Sequence, residues 1–266
     1  MRYDRRARLK LPYSDEALLR QTATFVITRA YDAVAGRSLV RVTARDADAQ
    51  RARARLRDAV DAHRAITHPH VARVWDADLD APFATVRFDL DAVADGETVV
   101  SRIAADRAPL PFDAATGFID AYASALVAAH ESVSPATGRA CCLGVVGWPC
   151  FLFEPGGHFA LVGFGAPIAL EPSPLSPGAF AAPDVVAGAA PSPGADVLAF
   201  ALMQRSSLSL VALPDALARV FASMPRPDDL RLATSMAAAN YRLFVGAAHK
   251  RPAAREMLAL LHRTWR

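Results

Sequence analysis

The sequence predicts an α+β protein built as two lobes, a small β-rich lobe with one main helix over residues 1–91 and a larger, mainly helical lobe over residues 92–266. Three observations lead there. Short runs in the first third alternate apolar and polar residues, the period of half-buried strands. One long stretch in that third contains no helix breaker. Past Asp113 the apolar residues recur at helical spacing, interrupted by a pair of short apolar runs.

The elements follow in order. "ATFVITRAYD" and "SLVRVTAR" flank "AVAGR", where Gly36 suits a turn, so the two runs form a hairpin. "DADAQRARARLRDAVDAHRAI" opens with acids and is rich in helix formers, which makes it the main helix of the first lobe. "FATVRFDLD" alternates along its length and returns as a strand. Asp113 can cap a helix whose Ile119, Tyr122, Leu126 and Ala129 share one face. "CFLFEPGGHFALVGFG" reads as two apolar strands joined by a Pro-Gly-Gly turn. A Pro- and Ser-rich connector runs from Ala166 towards Pro183. Helices are then expected near "DVLAFALM", "PDALARVFASM", "DLRLATSMAAANYRLF" and "AAREMLALLHRTW".

Composition narrows the function classes. With 266 residues, 53% hydrophobic and 21% charged, the chain can bury a sizeable core and is neither disordered nor fibrous. A formal net charge of +3 places no demand for nucleic acid or an anionic membrane. The positive charge is almost all arginine, with lysine only at Lys10 and Lys250. Cys141, Cys142 and Cys150 are too few and too close together for a secreted disulfide framework. They contain no C-x-x-C pair, so buried thiols acting as small hydrophobes are expected rather than a metal site. "MRYDRRARLK" lacks the apolar core of a signal peptide, and the longest uncharged runs are broken by Gly and Pro. A cytoplasmic protein without a membrane span is expected.

Five fragments, in the right order, resemble a bacterial Ser/Thr protein kinase domain along nearly the whole chain. "AGRSLVRVTA" is similar to the strand that carries Val-Ala-Ile-Lys, and "ITHPHVARVWD" to the His-Pro-Asn passage after helix C. "AAPDVVAG" resembles the Ala-Pro-Glu motif, "GADVLAFALM" the Asp-led helix F, and "HKRPAAREMLALL" the Arg-Pro passage before the final helix. Cys150 stands 13 residues before Gly163, the spacing at which the family sets its metal-binding asparagine before its metal-binding aspartate. The resemblance implies a bilobal protein kinase-like fold.

It also implies where the chemistry should sit. Phosphoryl transfer is positioning plus charge neutralisation: a Gly-rich loop, a Lys paired with a helix C Glu, a catalytic Asp, and Asp plus Asn on Mg²⁺. By this alignment the Lys falls at Thr43, the helix C Glu at Ala59 (or Asp58 with a one-residue shift), and the catalytic Asp at Val145 in Leu143-Gly144-Val145. The metal-binding Asn falls at Cys150 and the Asp of Asp-Phe-Gly at Gly163. The Gly-rich loop should lie near "RQTATF", yet no glycine precedes Gly36. The deficits survive any slip of register. No Asp lies between Asp120 and Asp184, no Lys between Lys10 and Lys250, and Asn240 is the only Asn. Mg²⁺ takes hard oxygen ligands, and neither Glu154 nor Glu171 falls at a ligand position. Scaffold charges remain: Asp196 at the helix F position, and Asp184 with Arg251 as the shortened Ala-Pro-Glu ion pair. A chain with the scaffold and without the catalytic groups resembles a pseudokinase.

The expected function is therefore a catalytically inactive signalling module, a scaffold or allosteric regulator. It would bind a protein partner such as an active kinase or a signalling-complex component, with no cofactor and no metal. The alternative is a metal-independent nucleotide sensor, in which Arg41, on the same strand face as Thr43, stands in for the missing lysine; nucleotide binding is not expected, because the resemblance implies a small residue against the adenine, and an arginine there would occupy the pocket or fold out to solvent. An enzyme of unorthodox chemistry would need a carboxylate from Asp89, Asp91, Asp95 or Glu97. The basic run Arg51, Arg53, Arg55 and Arg57 suits an acidic partner or a phospholipid surface, but neighbouring Asp46, Asp48, Asp58 and Asp61 favour a solvated helix face. His68 and His70 match a structural turn. Ser173 and Ser176, each before Pro, are open to phosphorylation, although a Pro-stiffened connector is the simpler expectation.

Overall fold

The computed structural model describes residues 13–45, 49–107, 109–170, 179–206, 211–212, 253–256 and 258–259. The first lobe contains β1 Tyr13–Gln21, β2 Phe25–Asp32, β3 Arg37–Ala44, α1 Ala49–Ala65, β4 Val74–Asp78 and β5 Thr85–Phe88. Its strands form one antiparallel sheet in the order β1-β2-β3-β5-β4. The expected hairpin is β2–β3, in register from Phe25 opposite Ala44 to Asp32 opposite Arg37. Asp32 closes its turn, with Oδ1 accepting from the N–H groups of Val34 and Ala35 at 2.9 Å each.

One face of the sheet is apolar. Phe25, Ile27, Val40, Val42, Ala44, Val86 and Phe88 are buried in a cluster with Ala52, Leu56, Ala59 and Val60 of α1. Those four residues make one stripe of the helix. Each such Val, Leu or Phe contributes roughly 1.5–3 kcal/mol by leaving water, which holds α1 against the sheet despite its many arginines.

The second part of the chain runs β6 Ala94–Asp95, α2 Gly96–Asp106, β7 Leu110–Pro111, α3 Phe112–Glu131, β8 Val145–Gly147, a 3-10 turn Trp148–Cys150, β9 Phe151–Phe153 and β10 Phe159–Leu161. Then come β11 Ala179–Ala181, α4 Pro183–Val186, α5 Pro193–Ser206 and β12 Val211–Ala212. The expected lobe boundary after Asp91 falls between β5 and β6. The Pro-Gly-Gly hairpin is the β9–β10 ribbon, and β6 pairs with its other edge. Both faces of this ribbon are buried. Phe151, Phe159 and Leu161 enter a core with Tyr122 and Leu126 of α3 and Phe200 of α5. Leu152, Ala160 and Val162 enter the core beneath the sheet. A strand between two cores must be apolar at every position, which explains the unbroken runs "CFLF" and "FALV".

The start of α3 departs from expectation. Pro111 is the N-cap and makes no side-chain cap bond, so the helix begins at Phe112. Asp113 therefore lies inside the first turn, where it complements the positive end of the helix without capping it. The fixed φ of Pro111 sets the entry one residue early. The short helix α2 is capped by Asp95, whose Oδ1 accepts from the Thr98 N–H at 2.9 Å. The helix near "DVLAFALM" is α5. Those expected near "PDALARVFASM" and "DLRLATSMAAANYRLF" lie outside the described residues, and the last one is helical at 254–256 and 258–259. No described helix is long and apolar enough to cross a membrane.

Candidate functional site

The loop between α3 and β8 is anchored from α5. Asp196, 1% exposed, accepts hydrogen bonds from the backbone N–H of Leu143 at 2.9 Å and of Gly144 at 2.6 Å. It also meets His130 Nε2 of α3 at 3.0 Å. A buried carboxylate needs such donors, because uncompensated burial of charge is costly. Burial, and then the charge of Asp196, push the thiol of Cys142 and the hydroxyl of Tyr122 well above their ordinary pKa values. His130, Cys142 and Asp196 hold their ligand-type atoms within 4.8 Å of one another. Both Asp196 oxygens are already committed to the Leu143 and Gly144 amides, so the cluster works as an anchor for that loop.

Val145 opens β8, half-buried and opposite Ala181 of β11. Cys150 ends the 3-10 turn at 0% exposure; burial raises its thiol to about 12, against the lowering effect of the Gly147 backbone and the Arg20 charge. Gly163 lies buried beyond β10, with its N–H donating to His63 Nε2 of α1 at 3.1 Å. Its φ is 105°, a conformation that residues with a Cβ rarely adopt. These three positions carry no oxygen ligand.

The position expected for the Gly-rich loop is a tight turn between β1 and β2. Thr22, buried there, closes it: its N–H donates to the Phe25 carbonyl at 2.8 Å, and its Oγ1 accepts from the Phe25 N–H at 2.9 Å.

The expected register of β3 needs correction. Val42 pairs with Ile27 and Val86 within the α1-facing core. Thr43 pairs with Val26 and Thr85, and Arg41 with Thr28 and Arg87, on the opposite face. In a strand of period two, a slip of one residue exchanges the faces, and burial of Val40 and Val42 decides between them. The β3 residue on the α1-facing side, in the same buried core as Ala59, is thus Val42, which carries no charge either. Arg41 does not enter the cleft, which removes the residue on which the phosphate-binding alternative relied.

The four carboxylates considered for unorthodox chemistry each meet an arginine. Asp89 pairs with Arg37 at 2.7 Å and with Arg73, and Asp91 pairs with Arg29 at 2.7 Å. Asp95 and Glu97 both pair with Arg20 of β1, the former at 3.2 Å. Arg20 and these two acids line an open groove of about 690 Å³, with Leu18, Leu19 and Arg102. Sequence reasoning missed Arg20, His63 and His130, because partners 66 to 100 residues away leave no local pattern.

The basic helix face is only partly solvated. Arg51 and Arg57 are exposed, whereas Arg53 donates to the Ala81 carbonyl at 3.0 Å, and Arg55 to Thr24 Oγ1 at 3.2 Å and to the Pro167 carbonyl. His68 Nδ1 accepts from the His70 N–H at 3.1 Å, a local turn bond. All three cysteines are buried free thiols. Asp184 sits in the first turn of α4. Its expected partner Arg251, and Ser173 and Ser176, lie outside the described residues.

A sheet lobe holding one helix, a hinge segment, and a helical lobe whose buried Asp tethers a loop define a protein kinase-like fold. Solved structures agree. The kinase domain of Mycobacterium tuberculosis PknI superposes with a TM-score of 0.68 at 20% identity, covering 96% of both chains. A second structure of that domain gives 0.65 at 20% identity over 95% of this chain and 96% of that one. The fold is that of a protein kinase domain. No protein-family model and no curated protein sequence matches the chain.

Proposed function

We propose that this chain is a catalytically inactive kinase-like module that acts through protein–protein binding, as a scaffold or allosteric regulator of a signalling partner. The observation that carries the proposal is the side-chain chemistry at the catalytic positions: Val42 and Ala59, which share one apolar core, then Val145, Cys150 and Gly163. Phosphoryl transfer depends on charge neutralisation at these positions, and none of these residues carries a charge. The apolar core beneath the sheet supports the same reading. Leu152, Ala160 and Val162 share that buried cluster with Ile27, Val40 and Val86, where an open nucleotide slot would expose them.

The test is a phosphotransfer assay on the purified chain with Mg²⁺ or Mn²⁺, alone and with generic protein acceptors. No transfer above a protein-free blank is expected. Any transfer above the blank would contradict the proposal, and transfer abolished by Asp95→Asn or Glu97→Gln would establish unorthodox chemistry instead.

A further inference from the structure

We infer that His63 is a positioning residue that bolts α1 to the Gly163–Phe164–Gly165 loop and to the segment entering β4, taking the place of the missing Lys–Glu ion pair. His63 is 1% exposed and uses both ring nitrogens. Nε2 faces the Gly163 N–H at 3.1 Å, and Nδ1 faces the Ala72 carbonyl at 2.8 Å. The partners dictate the tautomer. An amide N–H can only donate, so Nε2 is the bare acceptor. A carbonyl can only accept, so Nδ1 carries the proton. The ring is further fixed edge-on by Phe88 at 5.0 Å and Phe164 at 5.7 Å.

Two more contacts come from the same stripe of α1. A Cβ at Gly165 would lie 2.4 Å from the Asp58 carbonyl oxygen and 2.9 Å from Ala62 Cβ, so the loop lies directly on the helix. Arg55 donates to the Pro167 carbonyl one step further along the loop. Residues 55, 58, 62 and 63 are spaced to share one helix face. The apolar packing of β3 on α1 is non-directional and cannot set the angle of α1, whereas the two His63 bonds are directional and lock it. Helix α1 and the loop therefore move as one body, and a partner meets them in a single arrangement. This holds whether or not the chain transfers phosphate.

The test is NMR on the ¹⁵N-labelled chain. A scalar coupling across the hydrogen bond between the Gly163 amide nitrogen and His63 Nε2 is expected, and its absence would overturn the inference. Amide exchange supplies the second arm. His63→Leu is expected to speed exchange at Gly163 by about tenfold relative to the β2–β3 ladder, the worth of one lost hydrogen bond. His63→Gln, which keeps an acceptor, should restore part of that protection. Exchange that rises uniformly through sheet, helix and loop in His63→Leu would mean that the ring only fills space, and would contradict the positioning role. If His63→Leu does not fold, the wild-type coupling still decides.

Discussion

At the scale of single residues, the polar interior rests on Asp196 and His63. Asp196 satisfies two loop amides from the middle of an apolar core. Asp196→Ala should cost about 3 kcal/mol, the usual penalty for stranding buried donors. Urea unfolding of the two proteins measures it, and a loss under about 1 kcal/mol would show that water replaces the carboxylate. His63 carries a pH signature. Burial lowers its pKa from 6.5 to about 4, so the unfolded chain takes up this proton at higher pH than the folded one. The stability tied to neutral His63 is complete above pH 6.5, declines as the pH falls towards 4, and changes no further below that. The full swing is about 3 kcal/mol at ~1.4 kcal/mol per pH unit. Stability measured across that window should fall more steeply in the wild type than in His63→Gln. Parallel curves would mean that the histidine titrates normally.

Among the elements, the junction of β3, α1 and the glycine loop is the most informative. Val42→Lys puts back the family's charge but buries it without a partner, and should destabilise the chain by about 3 kcal/mol or more. Adding Ala59→Glu should recover part of that loss, so a double-mutant cycle yields a favourable coupling. Independent, additive effects would show that Val42 and Ala59 do not face each other. How much was legible in the sequence varies with the kind of signal. The β2–β3 hairpin, α1, the β9–β10 ribbon and α5 are written in turn residues and apolar spacing. Strand β1 is not, because "YSDEALLRQ" lacks a β-branched run, and α2 is too short for its spacing to stand out. On β3 the alternation of "VRVT" already placed the valines inward. The family motif, laid over it one residue out, pointed Arg41 and Thr43 there instead. Aligned positions such as Val145, Cys150 and Gly163 were readable, whereas the clasps made by Arg20, His63 and His130 depend on tertiary contacts.

Across the whole molecule, the two lobes are joined by apolar packing through the ribbon and by the clasp of Arg20 on Asp95 and Glu97 at the groove mouth. The proposed module would work by contact through its surfaces, with an apolar core beneath the sheet where the family binds nucleotide. The most direct test is thermal stability of the purified chain with and without millimolar ATP, in Mg²⁺ and in EDTA. A ligand bound only by the folded state would raise stability by about 2.7 kcal/mol at a hundredfold excess over Kd. No shift in either condition is the predicted result. A shift in EDTA would reveal a metal-free nucleotide switch, and a shift that requires Mg²⁺ would contradict the claim that the metal-binding positions are lost.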